Sequence, residues 1–69
     1  MDAIVISEYY NNKDPRSKAV VVKNRNSYSI EYYDMNGLIF HTEKFEGHSL
    51  HYVEDAAENW ALGIKVLNG

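Results

Sequence analysis

Between two clusters of turn formers, Asn24-Arg25-Asn26-Ser27 and Asp34-Met35-Asn36-Gly37, runs a segment whose side chains alternate strictly. From Ser27 to Tyr33, Tyr28, Ile30 and Tyr32 point one way, and Ser29, Glu31 and Tyr33 point the other. Such a segment is a strand with one apolar face, and any chain that contains it must supply neighbours for its edges and a cover for that face. Neighbours are at hand. Lys18 to Lys23 is a strand built on Val20, Val21 and Val22, and a hairpin closed over Arg25-Asn26 pairs Val21 with Ile30 and Ala19 with Tyr32. On the other side, Gly37 supplies the positive φ that ends a type I turn with a glycine bulge. A three-residue loop Met35-Asn36-Gly37 sets Asp34 against Leu38 and Tyr33 against Ile39. Continued along the strand from Leu38 to Phe45, it sets Tyr32 against Phe40, Glu31 against His41, Ile30 against Thr42 and Tyr28 against Lys44. A two-residue loop would put Tyr32 opposite His41 and Ile30 opposite Glu43, so the longer loop is preferred. Both hairpins then select the same inner face of the middle strand.

After Glu46-Gly47-His48 the period changes. Val53, Ala57, Trp60, Ile64 and Leu67 recur at helical spacing. Ser49 is the predicted N-cap, without a capping box because Tyr52 stands where Glu or Gln would complete it. Glu54, Asp55 and Glu58 fall early and Lys65 late, as the helix dipole favours. Gly63 lowers helix stability by roughly 1 kcal/mol, which suits either close approach to the sheet or the onset of fraying. Asn68-Gly69 ends the helix. Trp60 is expected over Ile30, Tyr32 and Phe40. Ala3 to Tyr10 reads as a further strand, and Asn11 to Ser17 as a loop around Pro15. The expected fold is a single small α+β domain over residues 1–69: a three- or four-stranded antiparallel meander with one C-terminal helix packed on one face. Residues 1–17 are a loosely attached strand and loop whose pairing with the sheet stays open.

With 69 residues, the chain buries only roughly 60% of the surface that its unfolded form exposes. Nearly all its apolar side chains are needed for the core, which leaves little for a deep pre-organised pocket, so no enzyme is expected. No cysteine is present, which removes disulfides, thiol catalysis and cysteine-ligated metal sites and points to the cytoplasm. There is no apolar run long enough to span a membrane, and Met1 to Ile6 does not read as a signal peptide.

Charge is unevenly placed. Residues 13–25 hold Lys13, Arg16, Lys18, Lys23 and Arg25 against Asp14 alone, while the chain as a whole carries a net charge of −3. A basic hairpin over 18–25, with Tyr9, Tyr10 or Tyr33 to stack on bases, makes single-stranded nucleic-acid binding the alternative function. The acidic whole, with Glu54, Asp55 and Glu58 on the helix, opposes it. Lysines at strand ends are also a routine guard against aggregation.

The stretch Tyr52-Val53-Glu54-Asp55-Ala56-Ala57-Glu58-Asn59-Trp60-Ala61-Leu62-Gly63-Ile64-Lys65, with the hairpin Tyr32-Tyr33-Asp34-Met35-Asn36-Gly37, resembles small uncharacterised proteins of large tailed phages, especially those infecting cyanobacteria. The likeness covers about the last 40 residues. It implies a protein made inside an infected bacterial cell, an adaptor or inhibitor of host machinery. It holds no catalytic motif and transfers no functional residue.

His41, His48 and His51 are the candidate metal ligands, with Glu31 or Glu43 as a fourth. Their spacing matches no helical metal motif, and no metal or other cofactor is expected. Ser27, Ser29 and Ser49 pair with a histidine and an acid only on paper, with no nucleophile-elbow sequence around them. Of the six tyrosines, Tyr28 and Tyr32 belong in the core, whereas Tyr9, Tyr10 and Tyr33 are harder to bury. Either the N-terminal segment covers the outer sheet face, or Tyr33 and Ile39, with Glu31 and His41 beside them, form an open contact surface. The function expected is a small non-catalytic protein-binding module. Its partner-binding residues are Tyr33, Ile39 and His41, then Lys23 and Arg25 at the basic tip. The partner is another protein, a homodimer being one form; nucleic acid ranks below, and no membrane is involved.

Overall fold

The computed structural model describes residues 3–67. Four strands, β1 (Ile4–Tyr10), β2 (Lys18–Lys23), β3 (Tyr28–Tyr33) and β4 (Ile39–Phe45), precede one helix, α1 (Leu50–Ala61). The strands form one sheet in chain order, and every neighbouring pair is antiparallel. The meander is therefore four-stranded, with the helix on one face. The N-terminal segment does not lie across the outer face: it joins the sheet as the edge strand beside β2.

Side-chain direction sorts the sheet into rows. Facing α1 are Tyr9–Ala19–Tyr32–His41, then Ser7–Val21–Ile30–Glu43, then Ile4–Lys23–Tyr28–Phe45. On the outer face are Tyr10–Lys18–Tyr33–Ile39, then Glu8–Val20–Glu31–Thr42, then Val5–Val22–Ser29–Lys44. The expected pairs Val21–Ile30, Ala19–Tyr32 and Tyr33–Ile39 are all present. The three-residue loop also holds: the Asp34 N–H donates to the Leu38 carbonyl at 2.9 Å and Gly37 has φ +79°.

Beyond Ile39 the expected register fails. The pairing shifts between Tyr32 and Tyr33, so that Tyr32 faces His41, Ile30 faces Glu43 and Tyr28 faces Phe45. Phe40 is the extra residue of a β-bulge. One inserted residue reverses the phase of all that follows, so His41 leaves the outer face for the helix side and Thr42, not His41, stands opposite Glu31. A second irregularity, at Ile6 in β1, puts Val5 on the same face as Glu8 and Tyr10.

The core lies between α1 and the middle of the sheet: Ala19, Val21, Ile30, Tyr32 and Phe45 meet Val53, Ala57, Trp60 and Ala61. Burying Ile30, Val21 and Val53 fully contributes about 1.5–3 kcal/mol each. Trp60 lies edge-on to Tyr32, ring centroids 5.1 Å apart, but Phe40 is outside the core and 52% exposed. α1 packs across β1, β2 and β3.

Ser49 caps α1 as expected, its Oγ accepting from the Tyr52 N–H at 3.2 Å. The far end falls earlier than the periodicity suggests. Gly63 has φ +83°, its N–H donates to the Trp60 carbonyl at 3.0 Å, and the N–H groups of Ile64 and Lys65 both reach the Asn59 carbonyl, at 2.8 and 3.1 Å. A glycine in the left-handed region satisfies the last carbonyls and turns the chain back. Ile64 is therefore exposed, and Leu67 packs against the core from a non-helical tail. The expected end at Asn68-Gly69 lies outside the described residues. No acid occupies the first turn and no base the last, so the expected dipole pairing is not made.

Candidate functional site

The outer row nearest the 11–17 loop is a built surface. Lys18 sits at its centre, between Tyr10 and Tyr33 in the register. Its Nζ lies over both rings, 5.8 Å from the Tyr10 centroid and 5.6 Å from that of Tyr33, and 3.4 Å from Glu8 Oε1. Ammonium–ring attraction and the carboxylate together hold the lysine stem flat against the sheet. Both tyrosine hydroxyls are engaged: Tyr10 donates to Glu8 Oε1 and Tyr33 to Glu31 Oε1, each at 3.0 Å. Partial burial, and then the Glu31 carboxylate that accepts its proton, push the Tyr33 phenol above its usual pKa. Ile39, directly across from Tyr33, closes the row and is 49% exposed.

Behind this row the face is dry. Val20 and Val22 point away from α1 yet are only 3% and 4% exposed. Their register neighbours, Glu8 and Glu31 for Val20, Val5 and Ser29 for Val22, are placed to cover them. Asn24 Nδ2 reaches over to donate to Ser29 Oγ at 3.1 Å.

The five residues nominated from the sequence thus separate into three places. Tyr33 and Ile39 share the outer row. His41 is half-buried on the helix side, its ring 5.7 Å from that of Tyr32. Lys23 ends β2, with Nζ 5.3 Å from the Tyr28 ring centroid, and Arg25 is exposed in the β2–β3 turn. Five residues of strand put Lys23 about 17 Å from Lys18, and the two point to opposite faces. Arg16 pairs with Asp14 at 3.0 Å, and its hydrogen bonds hold the Asp14 carboxyl below the usual carboxylate range. The basic residues of 13–25 therefore do not line one groove. Tyr10 and Lys18 are the site members that the sequence named only for the nucleic-acid alternative and did not place beside Tyr33. Their signal was the 11–17 loop: closing it sets Tyr10 opposite Lys18, and the Asn11 N–H bond to the Ser17 carbonyl at 3.0 Å does so.

The histidines stand apart in their contacts. His48 stacks on Tyr52 at 4.2 Å, His51 Nε2 lies 3.5 Å from Asp55 Oδ2, and His41 meets Tyr32. Among the described residues no group of three or more such side chains is placed to hold a metal ion. A cleft of about 420 Å³ lies between the flank of α1 and the tail, lined by Tyr52, Asp55, Ala56, Asn59, Ile64 and Lys65. Its two charged groups are matched elsewhere, Asp55 to His51 and Lys65 to Glu43 at 3.2 Å. Among the described residues no helix is long and apolar enough to cross a membrane. No family model, curated protein or solved structure matches the chain.

Proposed function

We propose that this is a small non-catalytic protein-binding module of the cytoplasm, which docks another protein on the outer row Tyr10–Lys18–Tyr33–Ile39. One observation carries the proposal. The row crosses all four strands on the face without a helix, and its aromatic rings are held in place before any partner arrives. Pre-ordered tyrosines give contact area at low entropic cost, and an adjacent apolar residue gives the contact a dry centre. A role as an adaptor or inhibitor of a host protein, and an origin in a phage, belong to the same proposal and rest on the hairpin-and-helix resemblance alone. Nucleic acid gains less from this geometry, because Glu8 and Glu31 flank the two tyrosines and would repel phosphates.

The test places a photoreactive phenylalanine at position 33 and, as a control, at the exposed helix position 58, and irradiates the protein in its native cell. The expected result is a discrete adduct with a different protein from position 33 only, lost when Ile39→Asp is added. Identical adducts from both positions, or none from position 33, overturn the proposal; adducts with a second copy are told apart by mass.

A further inference from the structure

We propose that the open edge of β4 is an interface for a second copy of this chain, paired antiparallel about Thr42 into one eight-stranded sheet. Both sheet edges are unpaired, and among the described residues no backbone hydrogen bond reaches the outer edge of β4. An edge strand of that kind is a template for strand addition.

The side chains of β4 decide what is added. Two-fold pairing of a strand with itself sets one residue opposite its own copy, and the sheet faces match only in such registers. Past the bulge, β4 is regular from His41 to Phe45. Centring on Glu43 or on Lys44 opposes like charges, and centring on His41 opposes two imidazoles. Centring on Thr42 sets His41 of each copy opposite Glu43 of the other, twice by symmetry, with the two threonines on the axis. The atoms are available. Glu43 takes both its bonds, from the Tyr32 hydroxyl at 2.7 Å and from Lys65 at 3.2 Å, on Oε1. That leaves Oε2 for a donor from outside. The His41 ring contacts that of Tyr32, and its imidazole nitrogens make no hydrogen bond among the described residues. A free donor and a free acceptor two residues apart on one edge are complementary to themselves. β1 has no equivalent, because its only charged residue is Glu8.

The seam also covers apolar surface. Ile39 and Phe40 lie on β4, and Lys65 anchors the tail beside it, carrying Ile64 at 69% and Val66 at 77% exposure. Ile39 is shared with the docking row, but the two proposals fail separately: Tyr33→Ser removes one of the row's two rings and changes no residue of β4.

Thr42 is exposed on the outer face, so changing it tests the register without touching the core. Sedimentation equilibrium of the intact chain over a range of concentrations should give a mass rising to twice that of the chain. Thr42→Lys and Thr42→Glu each place like charges on the axis and should weaken association by about fivefold or more. Mixed one to one, they should restore the dimer as a Lys–Glu heterodimer, while far-UV circular dichroism stays that of the unaltered chain. A monomer at every concentration overturns the proposal, as does a dimer indifferent to both changes. Loss of the dimer without recovery on mixing overturns the Thr42-centred register.

Discussion

The hydroxyl of Tyr32 shows how one residue ties distant parts of this chain together. The side chain is wholly buried, yet its oxygen emerges at Glu43, which also binds Lys65 of the tail, so that β3, β4 and the tail meet at one carboxylate oxygen. Burial first, and then the neighbouring Glu43 carboxylate, push the phenol far above its ordinary pKa. The consequence for stability has a definite sign. Below about pH 10 the phenol is protonated in both folded and unfolded chains and contributes no pH dependence. Above it the unfolded chain releases the proton and the folded one keeps it, so stability falls by about 1.4 kcal/mol per pH unit through this group. Urea midpoints at pH 9, 10 and 11 should trace that fall. In Tyr32→Phe the slope should shrink to the smaller share left by Tyr33, whose phenol is raised in the same direction. The same variant should lose about 1.5–3 kcal/mol at neutral pH, the value of a hydrogen bond to a charged group.

Among the elements, β4 is the informative case. Its two candidate registers, from a three-residue loop and from a two-residue loop, were alternatives only under the assumption that one register runs the whole strand. In fact the first holds at Ile39 and the second from His41 onward, with Phe40 taking up the difference. Nothing local announces this: Leu38-Ile39-Phe40 is apolar without a break, so the alternation that would reveal a phase change is missing there. The helix end misled for the converse reason. Ile64 and Leu67 keep helical spacing, but Gly63 at the C′ position carries the stronger signal, and spacing alone cannot tell a helix from a tail folded back on one. In β3 period two is unbroken and the turns on either side of it are short, which is why the β2–β3 hairpin and the helix-facing row were legible, as was the Ser49 cap ahead of the helical spacing. Because the ladder beyond the bulge is already that of a regular hairpin, a chain lacking Phe40 should still fold. Its thermal midpoint should drop less than that of Ile30→Ala, for which a buried large-to-small change predicts a loss of about 2–5 kcal/mol. A collapse of dispersed amide resonances on deleting Phe40 would show the bulge to be essential.

Taken whole, the molecule is a four-stranded sheet with a helix over three strands and a tail beside the fourth. Tyr33 and Ile39 were legible as members of the outer face, but whether the N-terminal segment covered that face or left it open was not. The position of β1 was not, because a loop of seven residues leaves a strand's register open, and with it went Tyr10, Lys18 and the cation held between two rings. Nor was the dryness of Val20 and Val22 legible, since it depends on how neighbouring strands lay their side chains down. A chain ending at Gly47, before the helix, exposes Ala19, Val21, Ile30 and Tyr32 together. It should melt without a cooperative transition and bind a hydrophobic dye, where the full chain melts sharply and does not.

The Asn12 N–H donates to the Ala61 carbonyl at 2.8 Å, and Asn11 Nδ2 reaches the Trp60 carbonyl at 3.5 Å, so the first hairpin is latched to the last turn of the helix. That latch joins residues 49 apart in the chain. During translation the four strands are made before the helix that covers them, so the apolar face of the sheet stays bare until Ala61 has been added and has left the ribosome. A chain stalled short of Ala61 therefore carries a sheet without its cover, and it is in that state that the protein most needs a chaperone.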